Sequence, residues 1–285
     1  MQQTAERSKI LLEALPYMKR FSGKMMVIKY GGNAMTTPFL KASVMKNISL
    51  LQMIGVKIVL VHGGGPEITK ALDTYGIPHE FIDGLRKTSK ESMEIITSVL
   101  TGKVNKGLVV DLLESSVSAI GLSGIDGGMI RATKKNDALG LVGEIQSIQT
   151  IPITMALEQG YIPVIAPVGV DENGQQYNIN ADTAAVKIAE ALKAEKFIML
   201  SDIPGVLRDP SDHSSIISEM DIAQAEKLLE DGTISGGMIP KILAGIYAMK
   251  NGLKEMTIVD GRVENALILE LFSDEGIGTL IRQAV

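Results

Sequence analysis

The chain has 285 residues, 45% of them apolar and 21% charged, enough to bury a sizeable core in one large α/β domain or two fused lobes. A net charge of −5 argues against a general nucleic-acid surface, and 4% aromatic content without tryptophan argues against base-stacking platforms. Cysteine is absent, which excludes disulfides and thiolate metal sites, and no apolar run reaches the length of a membrane span or signal segment, so a cytoplasmic protein without nucleic-acid or membrane partners is expected.

The first predicted element is an amphipathic helix from Ser8 to Arg20, with Leu11, Leu15 and Met18 on one stripe. Short β-rich runs ending in glycine or proline follow, separated by helical patterns. Met25 to Lys29 ends at Gly31-Gly32, Val56 to Val61 at Gly63-Gly64-Gly65, and Ile162 to Ala166 at Pro167. Phe197 to Leu200 runs into Ser201-Asp202-Ile203-Pro204-Gly205. This alternation predicts an α/β fold with a mainly parallel sheet covered on both faces. Met129 to Ile148 breaks the rhythm with polar turns and short strands such as Leu141 to Ile145, and reads as an inserted antiparallel hairpin. The polar loop from Gly169 to Gln176 offers a lobe boundary.

Two helices matter for chemistry. In Ala181 to Leu192, Ala185, Ile188, Ala189 and Leu192 recur at helical spacing, Asn180 suits the N-cap, and Asp182 falls in the first turn. In Ile239 to Lys250, residues Ile239, Ile242, Leu243, Ile246 and Met249 form the apolar stripe and leave Lys241 off it. A lysine near a helix N-terminus opposes the dipole, so it needs another reason to be there. Asp182 alone reads more readily as an ordinary first-turn acid, which the helix dipole favours.

Glycine turns at the ends of parallel strands suit anions, because the next helix offers unpaired N–H groups. Val27-Ile28-Lys29-Tyr30-Gly31-Gly32 adds a cation to such a turn, and His62-Gly63-Gly64-Gly65-Pro66 repeats it without one. A glycine cluster by itself is more often just a tight turn, and the lysine is what tips the first of these toward binding. The P-loop and dinucleotide signatures and the protein-kinase motifs are all missing.

Taken in order, these segments resemble the amino-acid kinase family, and within it the branch acting on N-acetyl-L-glutamate. The resemblance rests on Val27 to Met35, Val61 to Pro66, Gly84-Leu85-Arg86, Tyr177 to Ala185, Leu200 to Val206 and Gly236 to Lys241, spread over nearly the whole chain. It implies an open αβα sandwich with residues 1–22 as an N-terminal helix, 23–170 as an amino-acid-binding lobe and 171–285 as an ATP-binding lobe. It implies phosphorylation of the side-chain carboxylate of N-acetyl-L-glutamate in arginine biosynthesis, with a sister kinase for another small carboxylate as the alternative. By resemblance, Lys29 and Lys241 stabilise the transferring phosphoryl and Asp182 orients them. Gly64, Gly65, Arg86 and Asn178 contact the amino acid. Gly31, Gly32, Ser201, Asp202, Gly205, Val206 and Ser235 contact ATP with its Mg²⁺, and no residue is assigned as a protein-borne metal ligand.

A carboxylate acceptor is already ionised at neutral pH, so no general base is required and His62 reads as a structural residue of its loop. The resemblance also implies a homo-oligomer, with a hexamer favoured by the N-terminal helix, and L-arginine as feedback inhibitor. Tyr17, Lys196 and Ser273 to Gly278 would form the arginine site, with Asn265 standing where relatives often carry histidine.

Overall fold

A computed structural model describes residues 2–35, 37–209 and 211–283. The side chains of Ser8 and Leu11, named above, and those of Asn33 and Ala34 within the Val27 to Met35 segment lie outside the described residues. The strands are β1 (Met25–Tyr30), β2 (Lys57–His62), β3 (Phe81–Ile82), β4 (Leu85–Arg86), β5 (Ala119–Ser123), β6 (Ile130–Lys134) and β7 (Gly143–Ile148). They continue as β8 (Ile162–Ala166), β9 (Val168–Val170), β10 (Gln176–Asn178), β11 (Lys196–Ser201), β12 (Glu219–Asp221), β13 (Glu255–Asp260) and β14 (Thr279–Arg282). The helices are α1 (Gln2–Phe21), α2 (Pro38–Met53), α3 (Gly65–Thr74), α4 (Lys90–Thr97), α5 (Asn105–Glu114), α6 (Ile151–Glu158), α7 (Ala181–Ala191), α8 (Ile222–Glu230), α9 (Ile239–Lys250) and α10 (Ala266–Leu271).

Eight strands form the central sheet in the order β12-β14-β13-β11-β1-β2-β8-β5, and every neighbouring pair except β13 with β14 is parallel. In β1, Met26, Val27 and Ile28 are all fully buried, as a central parallel strand requires. Alternate residues separate into two cores. Met26, Ile28, Leu60, Ile198 and Leu200 pack with α2, α3, α5 and α10, whereas Val27, Val61, Phe197 and Met199 pack with α7 and α9 on the other face. The molecule is therefore an αβα sandwich, as expected. Truncating a residue as buried as Ile28 to alanine would cost about 2–5 kcal/mol.

The expected hairpin is present as β6 and β7, which join β9 and β10 in a four-stranded sheet. Its second strand begins at Gly143 rather than Leu141, because the Leu141 N–H is drawn to the Thr88 carbonyl and Val142 bridges to Asn178. Between α4 and α5 the chain winds as a π-helix over Ser98–Val104, a local widening that no apolar periodicity announces. The stripe of α9 is only partly internal: Ile242, Ile246 and Met249 are buried, while Leu243 is 50% exposed.

Successive strands on either side of β1 proceed in opposite directions across the sheet, so the chain reverses its order between β1 and β11. Crevices at such points, outside the carboxyl ends of the strands, are where open α/β sheets bind ligands. Lys29, Gly63 to Gly65, Pro167 and Asp202 all stand at that end.

Candidate active site

Lys29 is the penultimate residue of β1, in register with Val61 of β2 and Met199 of β11. Its ammonium lies 3.0 Å from one carboxylate oxygen of Asp182, and the Lys241 ammonium donates a hydrogen bond to the other. Asp182 is held there by its helix: Asn180 caps α7 by accepting from the Thr183 N–H, which fixes where the first turn begins. Lys241 comes from the first turn of α9, which packs against α7. Burial pushes the Asp182 carboxyl up, but the charges of Lys29 and Lys241 outweigh it and hold the group below the ordinary aspartate range.

Two clefts meet at this bridge. The first, of about 260 Å³, is lined by Lys29, Asp182, Gly63 to Gly65, Arg86, Leu100 and Asn178 among others. Arg86, only 7% exposed, donates from Nη2 to the Thr69 hydroxyl at 2.7 Å and the Gly65 carbonyl at 3.2 Å, with its guanidinium over the Phe81 ring. Its Nη1 is buried without a hydrogen-bond partner among the described residues. A buried cation with a free donor in a cleft is complementary to an anionic ligand. Burial lowers the guanidinium's pKa, with Asp73 opposing. Asn178 is oriented by donating to the Thr88 hydroxyl, which in turn donates to the Arg86 carbonyl. A side chain at Gly64 would place its Cβ 2.6 Å from Leu100 of the π-helical segment, so close packing requires glycine there.

The second cleft, of about 520 Å³, is lined by Ser201 to Leu207, Thr233 to Ser235, Lys241 and Arg262 among others. It opens at the ends of β11 and β13. Arg262 is locked in a two-pronged ion pair with Asp260 at 2.8 and 2.9 Å.

Lys29, Asp182, Gly64, Gly65, Arg86 and Asn178 thus share the first cleft, and Ser201, Asp202, Gly205, Val206, Ser235 and Lys241 share the second. Gly31 and Gly32, expected on the nucleotide side, line the first cleft next to Lys29, and a Cβ on Gly32 would meet the Asp202 carboxylate at 2.5 Å. Sequence reasoning missed Arg262, Leu100 and Thr88. Arg262 carried a usable signal, since Asp260-Gly261-Arg262 follows a strand as the other glycine turns do; Leu100 and Thr88 carried none.

A third cluster lies on the α10 face. The Tyr17 hydroxyl donates to Asp274, and the Tyr17 ring tilts against Phe272 with centroids 6.3 Å apart. Lys196, 4% exposed, sits 3.4 Å from Glu255 and 3.9 Å from Glu270, whose other oxygen accepts from the N–H groups of Ile277 and Gly278. Burial lowers the Lys196 pKa, with both glutamates opposing. Asn265 stands at the N-cap position of α10 without a side-chain capping bond, its amide oxygen accepting instead from Asn47 and Ser43.

Residues 24–260 match the model of the amino acid kinase family. The chain belongs to that family. Among its relatives, an acetylglutamate kinase of Thermoanaerobacter pseudethanolicus is 51% identical over 277 residues, covering 96% of this chain and 93% of the relative. Two structures of N-acetylglutamate synthase from Neisseria gonorrhoeae share the fold. One, with coenzyme A and N-acetyl-glutamate, has a TM-score of 0.85 at 24% identity, covering 98% of this chain and 64% of that one. The other, with coenzyme A and L-arginine, has a TM-score of 0.81 at 22% identity, covering 98% of this chain and 66% of that one. In family terms this chain therefore spans less than two thirds of the synthase.

Proposed function

We infer that this chain is an ATP-dependent kinase that phosphorylates the side-chain carboxylate of N-acetyl-L-glutamate, yielding N-acetyl-L-glutamyl 5-phosphate and ADP in arginine biosynthesis. The observation that carries the reading is the Lys29, Asp182, Lys241 bridge, which joins a small cleft holding a free buried guanidinium donor to a larger glycine-walled one. Its agreement with a relative that is named acetylglutamate kinase and is half identical over nearly the full chain supplies the acceptor.

The acceptor carboxylate attacks without losing a proton, so the demand on the protein is electrostatic. Repulsion between carboxylate and triphosphate, and charge spread over the transferring oxygens, are offset by Lys29 from one side and Lys241 from the other. Asp182 holds both ammonium groups in place. Arg86 binds the α-carboxylate that does not react, with Asn178 and the amides of Gly64 and Gly65 completing that cleft. The adenine and phosphates occupy the second cleft along Ser201, Asp202, Gly205, Val206 and Ser235, and Gly31 and Gly32 let the phosphates approach Lys29. Residues 23–170 would supply most of the amino-acid cleft and residues 171–285 most of the nucleotide cleft, with Asn178 and Asp182 crossing to the first and Gly31 and Gly32 reaching the phosphates.

Mg²⁺ would neutralise phosphate charge. Such a cation is ordinarily held by the nucleotide phosphates with one or two carboxylates rather than by an all-protein cage. The α10 cluster would take L-arginine as inhibitor, with Glu270 and Glu255 as anionic partners; a related synthase structure holds that ligand. Leu12 and Leu15 of α1 are 68% and 41% exposed, which supports α1 as an assembly element of a homo-oligomer, a hexamer by preference. A cytoplasmic location fits a biosynthetic enzyme, and no helix among the described residues is long and apolar enough to cross a membrane.

A coupled ADP-release assay comparing N-acetylglutamate, glutamate, aspartate and carbamate, with and without arginine, tests this. N-acetylglutamate is expected to be turned over best, and arginine to slow it. Preference for any other acceptor overturns the reading.

A further inference from the structure

β2 ends in His62, whose ring is fully buried beneath the glycine turn that opens α3. Its Nδ1 lies 2.7 Å from the carbonyl oxygen of Gly63. A carbonyl only accepts, so Nδ1 carries the proton. On the far side of the ring, Nδ2 of Asn105 stands 3.2 Å from Nε2, 2.8 Å from the Val164 carbonyl and 3.2 Å from the Leu122 carbonyl. Two carbonyls facing one end of the amide require its NH₂ there, and its second hydrogen is directed at the Leu122 oxygen and the bare Nε2 together. Both ring nitrogens are thereby committed to one neutral tautomer. Burial lowers the imidazole's pKa to about 4, with the Gly63 carbonyl opposing, which keeps that tautomer through neutral pH.

The geometry has a consequence at the cleft. The peptide between Gly63 and Gly64 is trans, so the Gly64 N–H points opposite to the Gly63 carbonyl. With that carbonyl drawn to the buried ring, the N–H is turned toward the cleft that Gly64 lines. Gly64 is the N-cap of α3, and N–H groups at a helix start lack intrahelical partners. A Cβ built on Gly31 would lie 2.8 Å from the Lys29 ammonium and 3.9 Å from the Gly63 nitrogen, so the start of this turn is beside the reacting end of the cleft.

We propose that His62 is a positioning residue, which with Asn105 behind it fixes the Gly63–Gly64 peptide so that the Gly64 N–H aims at the anionic oxygens of the reacting group beside Lys29. It deepens the kinase reading above and rests on it. His62 touches neither substrate and moves no proton.

The test compares two amides of equal polarity. In His62→Asn the side-chain nitrogen overlays Nδ1 and keeps the donor to Gly63, whereas in His62→Gln it overlays Nε2 and loses it. The asparagine variant is expected within about threefold of wild-type kcat and the glutamine variant about tenfold or more below it, short of the about 10²–10³ that deleting a donor costs. The KM for ATP should stay unchanged in both, and thermal unfolding fixes the folded fraction used to normalise the rates. Equal kcat in the two variants overturns the proposal. The ring nitrogens of ¹⁵N-histidine-labelled wild-type protein give a readout that needs neither variant: Nδ1 is expected protonated and Nε2 bare, and the reverse tautomer also overturns it. That spectrum does not depend on the acceptor. Failure of wild type to phosphorylate N-acetylglutamate sinks the kinase reading alone, and a wrong tautomer sinks this one alone.

Discussion

Lys29 and Asp182 lie 3.0 Å apart although they come from different layers, one from the end of the central strand and the other from the first turn of α7. Asp182 uses its second oxygen for Lys241, so one carboxylate sets the spacing of two cations. Asp182→Asn keeps the shape but removes the charge that gathers them. A misplacement on the order of 1 Å costs about 10²-fold in rate, and kcat should fall by about that much. Because the carboxyl is ionised well below neutrality, the kcat profile from pH 6 to 9 should keep its shape in the variant. A new pH optimum in the variant would show that Asp182 handles a proton.

The two lysines should separate kinetically. Each replaced by alanine should lose about 10²–10³ in kcat, as removal of a fixed charge at a transition state does. Lys241 lines the larger cleft and Lys29 the smaller, so Lys241→Ala should also raise the KM for ATP while Lys29→Ala leaves it nearly unchanged. Initial rates at varied ATP decide it, and near wild-type turnover in either variant removes that lysine from the chemistry.

Gly31 predicts a second way to lose Lys29. A methyl group there would fall 2.8 Å from the Lys29 ammonium, the movable end of a side chain, so Gly31→Ala should fold normally yet displace the cation. Thermal unfolding should match wild type while kcat drops about tenfold or more. Unchanged kcat would mean that the ammonium's position is not limiting.

Much of this was legible because it depends on local pattern. The apolar runs of β1 and β11, the glycines at their ends and the Asn180 cap each follow from residues within a few positions of one another. What escaped depends on contacts distant in sequence. Arg86 was named through family resemblance alone, because it sits on a two-residue strand too short to have a period, and its chemical state, which no local pattern carries, comes from Gly65, Thr69 and Phe81 folding over it. Leu100 reaches Gly64 only because the π-helical turn shifts the phase of its helix. That Gly31 and Gly32 line the cleft of Lys29 and Gly63 to Gly65 follows from β1 lying beside β2 in the sheet, a pairing that their own spacing does not carry. The exposure of Leu243 follows from which side of α9 meets α7, information that its own spacing lacks.

Arg86 makes a prediction about binding rather than rate. Nη2 is committed to Thr69 and the Gly65 carbonyl, so the ligand's share is the free Nη1 donor. Lysine cannot serve both directions in a fixed plane. Arg86→Lys should raise the KM for N-acetylglutamate by about tenfold or more, the worth of a charge-assisted hydrogen bond, with kcat and the KM for ATP little changed. Equal effects on both substrates would refute the assignment.

His62 should also leave a mark on stability that is independent of turnover. In the unfolded chain its imidazole takes a proton near pH 6.5, and in the folded protein burial lowers that to about 4. Above pH 6.5 both states are neutral at this residue and stability does not depend on it. As pH falls from 6.5 toward 4 the unfolded chain gains a proton that the folded protein refuses, so stability declines, by about 3 kcal/mol in all. Below about 4 both states are protonated and the decline stops. His62→Asn has nothing to titrate. Urea unfolding at pH 7 and pH 4.5 should therefore show a loss larger in wild type than in the variant by about 2–3 kcal/mol. Equal losses would mean that the folded imidazole accepts a proton freely, and the Asn105 amide facing Nε2 could not then be the donor that holds the ring.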